Sequence, residues 1–402
     1  MIAREIRDRK GEGNALSNLG SAYESLGNYP KAIELQEQSL VIARKIRDRE
    51  GEGRSLGNLG EVYQSLGNYP KAIEFHEQRL AITREIKGRK GEGQSLGNLG
   101  SAYDSLGNYP KAIKFHEQHL AIARELKDRQ GEGAALGNLG NVYHALGNYP
   151  RAIEFQEQRL AIARESKDKK GEGNALGNLG NIYYSLGNYP KAIEFQEQSL
   201  AIAREIKDKK GKGRSIGNLG IVYQALGNYP KAIEFYEQLL VIARELKDRE
   251  GEGAALGNLG IVYQTLGNYP KAIEFYEQTL EITREIKDRQ GEGKALGNLG
   301  IAYKSLGNYP KAIEFYEQTL EITREIKDRA SEYAALNNLG AVLAKQEPEL
   351  AIVLYKQSVN VAESIRSENK KLDRTLQSSY TETVAATCRF TANSCIFQTT
   401  TA

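Results

Sequence analysis

Leu26-Gly27-Asn28-Tyr29-Pro30 is the stretch that decides the fold. The same five residues start again at 66, 106, 146, 186, 226, 266 and 306. Asn-Leu-Gly starts at 18, 58, 98, 138, 178, 218, 258, 298 and 338, so the step is 40 residues throughout. A fixed period of this size marks an array in which each repeat is one supersecondary unit. Eight full units run from Gly11 to Ala330. A degenerate ninth begins at Ser331, loses one residue near Pro348 and ends at Arg366. Met1–Lys10 aligns with Val41–Glu50 and reads as the end of a second helix. Residues 367–389 read as a C-terminal helix and 390–402 as an irregular tail.

Each unit reads as two helices. Gly27-Asn28 ends the first, since both residues accept the left-handed backbone of a helix C-cap. Pro30 opens the second, where its missing N–H would have no partner anyway. The first helix is expected from about Glu12 to Leu26, with Ala15, Leu16, Leu19, Ala22, Tyr23 and Leu26 on one apolar face. The second is expected from Pro30 to about Arg47, with Ala32, Ile33, Leu35, Leu40, Ile42, Ala43 and Ile46 as its apolar residues. Asp-Arg-x-Gly-Glu-Gly then turns the chain into the next unit. Gly20 lies inside the first helix, where Gly costs about 0.5–1 kcal/mol against Ala. Its recurrence in every unit fits another helix passing too close for a side chain. Gly57 and its copies fall on the presumed open face, where packing and mere copying of a tolerated Gly are equal readings.

Composition excludes several classes of function. Lys plus Arg number 55 against 52 for Asp plus Glu, a balance that gives no electrostatic case for nucleic acid or an anionic membrane. No apolar run approaches the roughly 18 residues that cross a bilayer. Met1–Asp8 is too charged for a signal-peptide core, so a cytoplasmic protein is expected. Cys388 and Cys395 form neither a disulfide framework nor a zinc spacing. The four histidines are His76, His116, His119 and His144. His116 and His119 share a helix face without a third ligand, so partly buried or surface histidine is the expectation. Gly-Glu-Gly-x-x-x-Gly-Asn-Leu-Gly lacks the preceding strand and the Gly-Lys-Ser/Thr ending of a phosphate loop. No catalytic residue, metal or cofactor is expected.

Leu19-Gly20, Tyr23, Gly27, Tyr29 and Ala32 stand at the spacings of the tetratricopeptide signature, and Tyr276 adds its second-helix aromatic. Over about residues 1–366 the sequence resembles that family. It departs in its 40-residue period, in having no Trp, and in lacking the Pro that usually ends the second helix. The longer second helix and the Leu-Gly-Asn turn resemble the subclass in spindle-orientation adaptors and kinesin light chains. The resemblance implies an all-α, right-handed superhelical solenoid of antiparallel helix pairs that binds extended peptides in a concave groove. Leu354–Arg366 together with Ser379–Ala385 resembles the join, in bacterial and typically cyanobacterial proteins, between such repeats and a caspase-like CHAT peptidase domain. No such domain is expected within these 402 residues. After Arg389 the text shows no helical period and looks like a shifted reading frame.

Comparing the units with one another locates the groove. The positions of Asn14, Ser21 and Glu24 change from unit to unit, opposite the apolar face. Stacking identical faces buries shared positions and leaves these open. Free drift of exposed sites and selection by a partner look alike here. Toward the N-terminus the open positions carry Glu24, Glu61 and Asp104, with Arg54 the exception. The middle carries Asn141, His144, Asn181 and Tyr184. Arg214, Ile221, Ile261, Lys294, Ile301 and Lys304 follow. An Asn ladder, including Asn58, Asn98, Asn138, Asn178, Asn218, Asn258 and Asn298, offers donor and acceptor to an extended peptide backbone, or to the neighbouring helix. Arg214, Asn218, Asn258 and Lys294 resemble the carboxylate clamp of some tetratricopeptide domains, with Asn298 standing where that clamp has a basic residue. The Ile stripe reads equally as inter-repeat core. The expected function is a protein-interaction scaffold for extended, apolar segments with acidic character toward the C-terminal half. The alternative is a truncated sensor half of a repeat–CHAT protein without independent activity. Self-association through solenoid ends stays open.

Overall fold

The computed structural model describes residues 8–370. The readings for 1–7 and 371–402, including most of the C-terminal helix, the tail and both cysteines, lie outside the described residues. Eighteen α-helices follow one another among the described residues, from Arg9–Ser25 and Tyr29–Ile46 to Arg329–Leu343 and Pro348–Lys370. They alternate as first and second members of antiparallel pairs, the repeating arrangement of a tetratricopeptide-type solenoid. No described helix is long and apolar enough to cross a membrane. The helices gather into two compact units, Met1–Asn178 and Leu179–Ala402. Within each unit successive helices pack on one another, Arg9–Ser25 on Tyr29–Ile46 and Arg249–Thr265 on Tyr269–Glu285 among them.

Local chemistry sets the ends of the helices. Asn28, Asn68 and their copies cap the second helices, the Asn28 carbonyl accepting from the Lys31 amide at 3.3 Å. First helices begin at Arg9, Arg49 and equivalents, three residues earlier than the expected Glu12. The reason is Asp48 and its copies: the carboxylate accepts from the Gly51 amide, and the helix starts beneath it. Asp-Arg-x-Gly-Glu-Gly is therefore the first turn of a helix, not a loop. At one junction Gly88 replaces that Asp and no side chain caps the helix.

Both kinds of turn use one hydrogen-bond pattern. Asn28 N–H reaches Tyr23 O at 2.8 Å, with Gly27 N–H on Glu24 O at 2.8 Å. Asp48 N–H reaches Ala43 O at 2.9 Å, with Arg47 N–H on Arg44 O at 3.2 Å. This is the Schellman closure, which needs a left-handed residue. Within pairs Gly supplies it, Gly27 having φ +74°. Between pairs Arg47 and then Lys87, Lys127 and their copies hold φ of 54–59°. Cations there also face the negative end of the helix dipole. The Leu26 position becomes the C-cap and stays about half exposed, Leu66 at 46% and Leu266 at 50%, so it belongs less to the core than its wheel position predicts.

The core is a column of identical contacts. Leu56 and Leu59 of a first helix and Ala72 of a second are fully buried, and their copies in the following repeats are buried too. In the first repeat, by contrast, Leu16 is half-buried and Leu19, expected in the core, is 48% exposed because no earlier described helix covers it. Each buried Leu contributes about 1.5–3 kcal/mol. At the outer margin Tyr63 stacks on Phe75 with centroids 5.4 Å apart, and Lys71 sits over the Tyr63 ring at 4.8 Å. The carboxylate of Glu52, only 6% exposed, accepts from Arg44 Nε at 2.9 Å and from Arg49 Nη1, and Arg49 also reaches Glu85 one pair on. Burial pushes such a carboxyl up, yet Arg124 and Arg129 hold Glu132 below its ordinary value.

Gly60, Gly140 and Gly260 answer the mid-helix glycine question. A Cβ on Gly260 would lie 2.4 Å from Tyr276 Cε1, and one on Gly140 2.6 Å from Gln156 Nε2. The crowding group is a second-helix side chain, not a backbone. At this position Gln36, His76, His116, Gln156, Gln196, Tyr236, Tyr276 and Tyr316 are all buried. The Gly57 set is not on an open face: Gly57 lies under Arg79, Gly97 under His119 and Gly217 under Leu239. Gly257 and Gly297 keep room, with Thr279 and Thr319 atoms no nearer than 3.8 Å. Gly257→Ala is therefore predicted to stabilise unit two by about 0.5–1 kcal/mol. Gly260→Ala, one turn on, should destabilise it by about 1–3 kcal/mol through overpacking. Urea unfolding of the two variants checks this, and shifts of the same sign would refute the packing account.

His116 is fully buried, correcting the expectation of partly buried or surface histidine there, and His76 is fully buried as well. Neither ring nitrogen of His76 finds a partner. Burial, with Arg79 nearby, pushes His76 down to about 4, and burial with His119 does the same to His116. The unfolded chain takes up protons below about pH 6.5 that the folded chain refuses until about pH 4. Stability is thus complete above about 6.5 and falls as pH drops, by up to about 1.4 kcal/mol per pH unit per histidine. His76→Gln, copying Gln156, is expected to lessen the drop in urea midpoint between about pH 7 and about pH 5. An unchanged drop would contradict the assignment.

Candidate interaction face

The variable positions of the first helices line up on one side of each unit. In unit one they carry carboxylates. Burial, with Glu61 beside it, raises Glu24, and burial raises Asp104. Arg54 Nη1 donates to Asn14 Oδ1 at 2.9 Å, so this cation is engaged laterally. His144 packs against Tyr149, centroids 5.9 Å apart.

The Asn ladder divides into two sorts of rung, all half-buried. Asn58 Nδ2 donates to Ser17 Oγ at 3.1 Å on the preceding first helix. Asn98 Nδ2 donates to Glu61 Oε1 at 3.2 Å, and Asn178 Nδ2 to Asn141 Oδ1 at 3.0 Å. These amides brace neighbouring first helices. Asn138 makes no such bond with its counterpart Ser101 among the described residues. In unit two the counterparts change. Asn181 Oδ1 is taken by Gln196 Nε2 at 2.8 Å, and the next positions are Ile221 and Ile261. Asn218, Asn258 and Asn298 therefore keep their amides unbonded among the described residues.

The remaining expected residues of this face also lie in unit two. Ile221 is 38% exposed, whereas Ile261 and Ile301 are half-buried and lean on the core. The Ile stripe thus serves both readings, packed along one edge and open along the other. Arg214 and Lys294 are exposed and Lys304 is half-buried. Tyr184 tilts against Tyr189 at 5.9 Å, and burial raises it.

Beneath this face lies a layer that sequence reading passed over. Tyr236 Oη donates to Gln224 Oε1 at 2.8 Å and Tyr276 Oη to Gln264 Oε1 at 3.2 Å, joining the second helix to the end of the first. The signal was available, since Gln, His and Tyr alternate at one position where other core positions hardly change. Among the described residues no three His, Cys, Asp or Glu converge as metal ligands would.

The two sorts of rung predict different mutants. Asn58→Ala should cost about 0.5–1.5 kcal/mol by removing a lateral bond. Asn258→Ala should stay within about 0.5 kcal/mol of the parent. Hydrogen exchange of the flanking first helices measures both, and equal effects would remove the distinction.

The tetratricopeptide repeat model matches residues 11–85, 91–165, 131–205, 171–245, 212–285 and 291–364. No curated protein matches the sequence. Among solved structures, a signal transduction ATPase with numerous domains and a tetratricopeptide repeat sensor, from Pyrococcus horikoshii, is similar at 18% identity and TM-score 0.61, over 84% of this chain and 54% of that one. The apo quorum sensor NprR from B. thuringiensis is similar at 16% identity and TM-score 0.58, over 80% and 100%. A Rap protein complexed with Competence and Sporulation Factor is similar at 16% identity and TM-score 0.54, over 88% and 98%. Identities this low bear on fold alone.

Proposed function

The chain belongs to the tetratricopeptide repeat family, and on that footing we propose that it is a protein-interaction module whose first-helix faces hold extended segments of partner proteins. The observation that carries this reading is the row of unbonded amides Asn218, Asn258 and Asn298 beside Ile221, Ile261 and Ile301. An extended backbone needs a donor and an acceptor at regular steps, and a half-buried Asn without an internal partner offers both. The isoleucine edges offer apolar contact between those steps. Arg214 and Lys294 add positive charge, so the segment suited to unit two is apolar with interspersed carboxylates. Unit one, with Glu24, Glu61 and Asp104, suits a cationic segment instead, whose positive charge would offset the effect of burial that raises Glu24 and Asp104. Support at the level of fold comes from the Rap protein bound to its factor.

Panning a random peptide library against the purified chain tests the reading. Enriched peptides should be apolar with acidic residues and should bind in extended form. Ile261→Asp and Lys294→Glu should each weaken them by about tenfold or more while helix content stays unchanged. Peptides that ignore both substitutions would place recognition elsewhere.

A further inference from the structure

In seven of the repeat junctions among the described residues two cations grip one carboxylate. In unit two, Glu252 accepts from Arg244 Nε at 2.8 Å and Arg249 Nη1 at 2.6 Å. Glu332 accepts from Arg324 Nε at 2.9 Å and Arg329 Nη1 at 2.6 Å. Unit one repeats the fork at Glu52, Glu92, Glu132 and Glu172. After Arg204 the residue in the carboxylate's place is Lys212. The side chains of Arg204 and Lys212 make no hydrogen bond or ion pair among the described residues. Lys209, the other arm of the fork, keeps the contact its counterparts make one pair on, to Glu245 at 3.0 Å, without the fork itself. Asp208 is committed to the helix cap, accepting from Gly211 N–H at 3.0 Å.

The charge around this rung follows. From Arg204 to Arg214 the chain carries six basic and two acidic residues, against three and four from Arg244 to Ala254. Lys212 is half-buried in the first turn of helix Lys209–Ala225, where the helix dipole adds positive potential. Arg204 is exposed, with its guanidinium available to a carboxylate from outside.

We propose that Arg204 and Lys212 form a docking point for a side-chain carboxylate presented by an acidic segment of a partner protein. The occupant is set by complementarity: the neighbouring forks are shaped for a carboxylate, and here the chain supplies a third cation in its place. A guanidinium flanked by an ammonium binds an incoming carboxylate through charge-assisted hydrogen bonds. The site lies where a second helix ends and a first helix begins, away from Asn218 and Ile221. It stands whether or not the first-helix faces bind peptides.

The test is fluorescence anisotropy with a short labelled oligoglutamate peptide at low salt. The parent should bind it, and Lys212→Glu should weaken binding about tenfold or more. That substitution restores the carboxylate of the other repeats, so it should also raise the melting temperature. Lys294→Glu, the same change of charge on the open face, should stay within about twofold. Lys212→Gln serves if Lys212→Glu fails to fold, with a loss in the same direction. No binding by the parent, or equal losses for Lys212→Glu and Lys294→Glu, would overturn the proposal. Displacement by inorganic phosphate at lower concentration than by acetate would overturn the assignment to a carboxylate.

Discussion

Each repeat depends on one close approach, a second-helix side chain lying directly on a first-helix glycine. The gap between Gly260 and Tyr276 Cε1 would be 2.4 Å for any Cβ, so only glycine allows the pair to close. Closing it buries Leu259 and Ala272 completely and aligns Tyr263 with Phe275 at the margin. It also explains why the covering residue can change while the glycine cannot. Gln156 reaches the Gly137 carbonyl at 3.0 Å, Tyr236 reaches Gln224, and His76 reaches nothing. The polar ends differ, but the flat or slender stem over the glycine is common to all.

A second constraint ties one pair to the next. The buried Glu52 type of carboxylate joins the last turn of one helix to the first turn of the following one. A charge so enclosed is tolerable only with its cations in place, since removing one partner of a buried pair leaves an uncompensated charge. Lys212 inverts that logic at a single rung, where Arg204 and Lys209 share no carboxylate. The same repetition that stabilises the array thereby makes one departure from it conspicuous.

The period and the turn chemistry of Leu26–Pro30 were enough to read helix pairs, their order and most of the core. What escaped was lateral. The helical wheel orders residues around one helix and says nothing of the gap to the next. It placed Gly57 on an open face, whereas Arg79 from the partner helix covers it. It left the Asn ladder between two roles, and the structure divides it: Asn58 braces a neighbour because Ser17 and Ser21 are there to accept, and Asn258 cannot because Gly217 and Ile221 stand in their places. Helix starts were displaced because an Asp cap three residues ahead of Gly51 outweighs the low propensity of Gly-Glu-Gly. The burial of His116 escaped because its neighbours in sequence, Lys114 and Glu117, are charged.

The central claim, that partners lie along the first-helix face, is tested most directly by where they can be cross-linked. A photoactivatable phenylalanine at Ile261 would report on that face, and one at the exposed Glu274 on the second-helix side. In cells producing the protein, the account predicts discrete covalent adducts from the Ile261 position and none from Glu274. Adducts from Glu274 alone, or equally from both, would contradict it.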